Sequence, residues 1–255
     1  METYSIPTSQ QQYDEGAGLA YSEMNRTYKL RTFITNPLIW NVLGDLTGKS
    51  IVDLACGDGA YLKDMLDRGA KELVGIDISP EMIDTAKKQL DKVITLMVND
   101  MSTPSLHLSI RENRFDLVLC AWGLYNMDTD EQLERALKNA HKMLVSGGKA
   151  CFILAEDHKI CANDIGKIID LEVKNVLKGD WSGPTVLQKL LGKTFEVVDT
   201  WRPYFMYEEM AKKLGFTRIE KVDALFNEEG LKGWSPENWK KIKITKPIYA
   251  IVAYK

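Results

Sequence analysis

Basic charge is the first thing this 255-residue chain lacks: 33 Lys and Arg stand against 36 Asp and Glu, a formal net charge of −3. Nucleic-acid binders draw their affinity from a basic surface that releases phosphate counterions, so the balance argues against RNA or DNA as a partner. Long apolar runs are also missing. No uncharged stretch approaches the ~18 residues of a spanning helix, and no membrane partner is expected. The opening residues, METYSIPTSQQQYDEG, have neither the basic start nor the apolar centre of a secretory signal. Cysteine is sparse, and Cys56, Cys120, Cys151 and Cys161 form no CxxC pair. Three of them fall in or beside apolar runs, where free thiols behave as small hydrophobes. A reducing, cytoplasmic location is the expectation. Neither a zinc-ligand spacing nor a carboxylate cluster calls for a metal, so none is expected.

What is present is an ordinary globular composition, 45% hydrophobic and 27% charged, long enough to bury a full core. Residues 1–48 are mixed in polarity and read as an N-terminal helical arm. From Ser50 strands alternate with helices. SIVDLAC, ELVGIDIS, VITLMVND (93–100), FDLVLCAW (115–122) and KACFILAE (149–156) are the strands. Ser79-Pro80 supplies a helix cap and first turn, and Thr129 to Gln132 spells a capping box before a helix that the Gly147-Gly148 pair should stop. Such alternation implies right-handed crossovers and a parallel sheet covered on both faces. The rhythm breaks after Glu156: a helix is expected around Ile165–Leu177, and residues 157–206 read as an insertion. MYEEMAKKLGF then reads as a helix, and TRIEKVDAL and KPIYAIVAYK as closing strands. The expected architecture is one α/β domain over 49–255.

The chemistry concentrates in Asp53-Leu-Ala55-Cys56-Gly57-Asp58-Gly59, a strand running into a tight glycine turn and a helix start. Glycines admit positive φ and close backbone approach, and the helix start offers free N–H groups. Asp77 ends the second strand, where an acid can accept both hydroxyls of a ribose. Two features speak against a dinucleotide. Leu62 stands where a third glycine would be, and Asp53 and Asp58 would repel a pyrophosphate while suiting a cationic ligand. A sulfonium nucleoside with an amino-acid tail meets both requirements.

With the glycine loop and IDIS downstream, the sequence resembles class I S-adenosylmethionine (SAM)-dependent methyltransferases, in particular small-molecule enzymes of the toxoflavin-pathway type. The resemblance covers residues 48–156 and the closing strands. It implies a Rossmann-like, seven-stranded, mostly parallel sheet with an antiparallel last strand, an N-terminal lid and SAM as cofactor. It places Asp53 and Gly57 beside the methionine part of SAM with Gly59 at the helix start, counts Ala55 among the cofactor contacts, and puts Asp77 at the ribose diol and Ile78 against adenine. Asn99, Asp100 and Met101 fall beside the adenine amino group, and Ala121 and Trp122 at the methyl-transfer opening. Arg31 is the candidate partner of the SAM carboxylate, since arginine binds carboxylates in bidentate fashion. No catalytic base stands out; His158, after the fifth strand, is the one candidate.

Strand four ends in AWGLYN, without the Asn/Asp-Pro-Pro-Tyr motif of enzymes that methylate exocyclic amines. Together with the acidity, this points to a small, planar or aromatic acceptor methylated on N or O. Tyr21, Trp122, Tyr125, Trp181 and Trp201 are the candidate acceptor contacts, the last two, with neighbouring aromatics, from the insertion. A monomer or homodimer is expected. Two other readings stay open: a nicotinamide-dependent oxidoreductase and a non-catalytic SAM-binding regulatory subunit.

Overall fold

The computed structural model describes residues 8–14, 17–90, 92–162, 164–175, 183, 185–191 and 195–255. The arm is helical: α1 (Ser9–Tyr13), α2 (Ala17–Thr27), a π-helical turn over Arg31–Thr35, and α3 (Asn36–Leu43). Thr8 and Gln11 cap α1 reciprocally. Leu38, Ile39, Val42 and Leu43 bury one face of α3 in the main core, so the arm's second half is part of the domain's hydrophobic interior.

Strands β1 (Ser50–Leu54), β2 (Glu72–Asp77), β3 (Thr95–Val98), β4 (Phe115–Ala121) and β5 (Leu144–Ala155) pair in parallel in the order β3-β2-β1-β4-β5. Between them run α4 (Ala60–Asp67), α5 (Pro80–Gln89), α6 (Leu106–Ile110) and α7 (Asp130–Met143). Ile51, Val52, Val118 and Leu119 are fully buried, as both-face coverage requires of a parallel sheet. The expected caps form. Ser79 Oγ accepts the Met82 N–H with Pro80 in the first turn of α5, and Thr129 with Gln132 makes the capping box of α7. Leu133, Ala136, Leu137, Ala140 and Met143 bury one stripe of α7, the period of an amphipathic helix.

The glycine pair does not stop α7. The helix ends at Met143, and β5 starts directly at Leu144. Gly147 and Gly148 instead form a bulge, where the β4–β5 register jumps from Phe115↔Leu144 to Leu117↔Lys149. Gly147 takes φ +78°, and a Cβ on Gly148 would sit 2.9 Å from the Asp116 carbonyl oxygen.

Beyond β5 come α8 (Asp157–Ala162) and α9 (Ile165–Ile169). The helix expected up to Leu177 ends at Ile169; Asp170 turns left-handed and the chain enters β6 (Leu171–Asn175). β6, β7 (Thr185–Leu191) and β8 (Phe195–Trp201) form a separate antiparallel sheet. α10 (Tyr204–Lys213) leads to β9 (Arg218–Asp223), then α11 (Pro236–Thr245) and β10 (Ile248–Tyr254). β10 lies between β5 and β9 and runs antiparallel to both, completing the seven-stranded order β3-β2-β1-β4-β5-β10-β9. Strand order reverses between β1 and β4, so their carboxyl ends frame the crevice in which open α/β sheets bind ligands.

Candidate functional site

Backbone strain marks the two strand ends that frame this crevice. Ala55, just after β1, has φ +66°, and Trp122, just after β4, has φ +69°. Side-chain-bearing residues rarely take this conformation, and such positions cluster at functional sites. The two turns lock together: a Cβ on Gly123 would meet Ala55 Cβ at 2.6 Å and Met101 Cε at 2.8 Å. Gly57 and Gly59 also have positive φ, and Gly59 opens α4. The unexpected Leu62 has a packing reason. It is fully buried, and its Cδ1 lies 2.5 Å from where a Cβ on Gly75 of β2 would be. The glycine that lets helix approach sheet is thus carried by the strand.

Two adjoining cavities open at these turns. Both are lined by Tyr13, Tyr21, Ala55, Gly57, Ala121 and Trp122. The first continues past Arg31, Tyr61, Tyr28, Val197 and Asp199. The second continues past Asp77, Ile78, Asn99, Asp100, Met101 and Asp128. Most sequence-predicted contacts therefore converge: Arg31, Ala55, Gly57, Asp77, Ile78, Asn99, Asp100, Met101, Ala121, Tyr21, Trp122 and Tyr125 all line one cavity or both.

Asp77 accepts the Gly57 N–H at 2.8 Å on one oxygen and the Ser79 N–H at 3.0 Å on the other. Each carboxylate oxygen keeps a second lone pair for a ligand hydroxyl. Burial raises its pKa, against the lowering effect of those N–H bonds. Asp100 holds Ser102 through its backbone N–H (2.7 Å) and its hydroxyl (2.9 Å), so it shapes the loop as well as lining the cavity. The Arg31 guanidinium lies 4.5 Å from the Tyr61 ring centroid. Tyr125 gives the Trp122 ring a stacked neighbour at 6.5 Å, while its hydroxyl donates to the Ala155 carbonyl at 2.9 Å.

Four expected contacts fall elsewhere. Asp53 is fully buried behind the cavity walls, and both its oxygens lack a hydrogen-bond partner among the described residues. Burial and the charge of Asp77 raise its pKa well above the carboxylate range, opposed by Arg31. Gly59 shapes the turn without lining either cavity. His158 is on neither wall; it faces Glu156 at 3.5 Å, and burial lowers its pKa despite that acid. Trp201 is 2% exposed, and its indole N–H donates to the Ala155 carbonyl, making it a core residue. Trp181 lies outside the described residues. The aromatic wall expected from the insertion also differs. Tyr204, Phe205 and Tyr207 belong to α10 and line neither cavity, and the insertion instead presents Leu171, Val197 and Asp199. Asp199 escaped the sequence reading, although the alternation in FEVVDTW puts Val197 and Asp199 on one face of a strand.

Residues 51–148 match the family described as a methyltransferase domain. An uncharacterized protein of Haemophilus influenzae is 29% identical over 134 residues, 51% of each chain. The demethylmenaquinone methyltransferase of Lactococcus lactis is 31% identical over 113 residues, 44% of each chain. The chain thus spans about half the length of these curated relatives. Other relatives carry the names mRNA cap guanine-N(7) methyltransferase, protein arginine N-methyltransferase 1 and tRNA U34 carboxymethyltransferase. The crystal structure of a SAM-dependent methyltransferase from Mesorhizobium loti superposes with a TM-score of 0.61 at 20% identity, over 86% of this chain and 96% of that one. The fold is the Rossmann-like fold of SAM-dependent methyltransferases. Residues 51–148 are thus similar to a methyltransferase domain, and the solved proteins that share the fold include SAM-dependent methyltransferases.

Proposed function

We propose that the protein transfers a methyl group from SAM to the nitrogen or oxygen of a small, flat organic acceptor, as in the small-molecule branch that includes toxoflavin-pathway methyltransferases. The observation that carries this reading is the pair of cavities sharing one strained junction at Ala55 and Trp122. One compartment offers a buried acid and an apolar floor suited to a nucleoside, in Asp77, Ile78 and Met101. The other offers a guanidinium beside a tyrosine-lined hollow. The residues fit SAM: Asp77 would hold the ribose, Asp100 with Ile78 and Met101 the adenine, Arg31 the carboxylate, and left-handed Gly57 the close-approaching tail. Bound there, SAM supplies an electrophilic methyl group on a sulfonium.

The chain's own contribution is orientation and exclusion of water, which can carry much of an in-line displacement without a strong base. The arm (1–48) and the insertion (157–206) serve as lid and acceptor cap in this reading. α1 and α2 supply Tyr13 and Tyr21, and β8 supplies Val197 and Asp199. A small acceptor is favoured over RNA by the net charge of −3 and by the five aspartates on the cavity walls. The test is calorimetric titration with SAM and NAD, followed by detection of S-adenosylhomocysteine (SAH) after incubation with small amines, phenols, heteroaromatics and RNA. SAM binding with SAH release on a small acceptor is the expected result. NAD binding in place of SAM, or methyl incorporation into RNA alone, would overturn the reading.

A further inference from the structure

Resting on the methyl-transfer reading, we propose that Asn139 of α7 is a positioning residue for nucleobase selection. With Arg135 and His107 it fixes the 99–103 loop, so that Asp100 accepts the adenine amino group and rejects a base carrying a carbonyl there. The loop leaves β3 at Asn99, whose N–H donates to the Asp77 carbonyl at 2.9 Å. Met101, Ser102 and Thr103 then turn their carbonyls to α7. Asn139 Nδ2 donates to the Met101 carbonyl at 2.9 Å and to the Thr103 carbonyl at 3.0 Å. Arg135 Nε donates to the Ser102 carbonyl between them at 2.9 Å. Arg135 and Asn139 stand four residues apart, so one face of α7 carries both.

The orientation of the Asn139 amide is over-determined. The residue is 2% exposed, and both its side-chain N–H groups are taken by carbonyls. Its Oδ1 faces His107 Nδ1 at 2.8 Å and accepts the His107 backbone N–H at 3.5 Å. The other ring nitrogen of His107, Nε2, faces Glu112 at 3.1 Å. An amide turned end for end would set its oxygen against two carbonyl oxygens, so His107 and the loop enforce one arrangement. A buried polar network with every member satisfied specifies a single geometry. His107 belongs to α6, and the clamp therefore joins α6, the loop and α7. None of Arg135, Asn139 and His107 lines either cavity, so they act through the loop.

On the cavity side the loop presents Asn99, Asp100 and Met101. One Asp100 oxygen accepts the Ser102 N–H at 2.7 Å and the other the Ser102 hydroxyl at 2.9 Å. The direction of the carboxylate thus follows Ser102, whose carbonyl Arg135 holds. The Thr103 hydroxyl donates to Asn99 Oδ1 at 3.0 Å and closes the loop on itself. A carboxylate only accepts. Adenine offers it an amino donor, whereas hypoxanthine brings an acceptor oxygen to the same position. A carboxylate held in place discriminates between the two, and one free to swing aside does not.

The test is calorimetric titration of the full-length protein with SAH and with S-inosylhomocysteine, its deaminated counterpart. The wild-type protein is expected to bind SAH at least about tenfold more tightly, a difference of about 1.4 kcal/mol. Asn139→Ala and Arg135→Ala should each weaken SAH about threefold to tenfold and bring the preference within about threefold. His107→Asn, whose amide N–H can stand in for Nδ1–H, should keep most of the preference, and His107→Leu should not. Equal binding of the two ligands by the wild-type protein, or a preference for S-inosylhomocysteine, would overturn the proposal and leave the methyl-transfer reading standing. So would variants that lose both ligands equally, because the side chains would then merely support the fold, and variants that change nothing. Failure of the wild-type protein to bind SAH would instead reject the methyl-transfer reading itself. Arg135 is half-buried, so Arg135→Ala decides the question even if Asn139→Ala does not fold.

Discussion

Both carboxylate oxygens of Asp53 are buried without a hydrogen-bond partner among the described residues, and the neighbouring Asp77 adds like charge. Its folded pKa is raised, so ionisation opposes folding. The stability linked to this group is present at low pH and is lost as pH rises through the raised value. Asp53→Asn should therefore stabilise the ligand-free protein at pH 7 by about 1 kcal/mol or more, since each unit of raised pKa is about 1.4 kcal/mol. The gain should shrink on acidification; chemical denaturation of both proteins at pH 7 and pH 5 checks it, and a gain that grows with acidity contradicts it. Asp77→Ala should weaken SAM binding by about 1.5–3 kcal/mol, as expected for hydrogen bonds to a charged group. Calorimetry on a folded variant decides, and unchanged affinity removes Asp77 from the ribose. Asp77 and the glycine turn were legible because the chemistry demands those residue types at that spacing. Asp199 was not, because a single acid in an alternating strand carries no signal until the strand is seen to face the cavity.

At the scale of elements, strands and helices of the parallel core were readable from apolar runs and caps, since burial on both faces and unpaired helix termini dictate composition locally. The insertion was harder. IIDLEVKNVL satisfies a helical period and, over LEVKN, a two-residue one; the strand wins because β7 is available to pair residue for residue, Leu171↔Leu191 through Asn175↔Leu187. α11 went unread although it has the same Ser-Pro opening as α5: Ser235 caps it through the Asn238 N–H. Long-range clips had no local signature. The Gln12 side chain pairs with both the N–H and the carbonyl of Val198, fastening α1 to β8 across 186 residues. Tyr28 donates to the Ile169 carbonyl at 2.7 Å, fastening the arm to α9. Gln12→Ala should raise acceptor KM by about threefold to tenfold, the equivalent of one or two net hydrogen bonds, with little change in global stability. Steady-state kinetics with an accepted substrate measures this, and an unchanged KM shows that the clip does not hold the acceptor wall. Trp201→Ala belongs to another category. Because the indole is buried in the core, its removal should cost about 3–5 kcal/mol of stability, read by denaturation.

Across the whole molecule, arm, insertion and C-terminal segment meet around Trp234. Trp234 stacks on Trp239 at 5.6 Å, donates from its indole to the Ile168 carbonyl at 2.8 Å and meets Phe33 edge-on at 6.0 Å. The arm itself divides. Its later part sends Leu30, Ile34, Leu38, Ile39, Val42 and Leu43 into the main core. Its earlier part is held by polar latches, with Ser79 Oγ donating to Asp14 at 2.6 Å and Arg26 donating to Gln89 at 3.2 Å, and it supplies Tyr13, Tyr21 and Met24 to the cavity walls. Polar latches on a partly solvated surface add little net stability, whereas three walls removed from a closed site expose its ligand to water. Deleting residues 1–27 should therefore leave the denaturation midpoint of the ligand-free protein near that of the full chain and weaken SAH binding about tenfold or more, which is about 1.4 kcal/mol or more. The same asymmetry should appear as linkage. SAH at 100 times its Kd stabilises the full chain by about 2.7 kcal/mol, and the truncated chain at that same concentration should gain measurably less. Thermal unfolding of both chains with and without SAH reads both quantities together. A truncated protein that binds SAH normally would show that the early arm closes over something other than the cofactor, and one that unfolds without ligand would show that it belongs to the core.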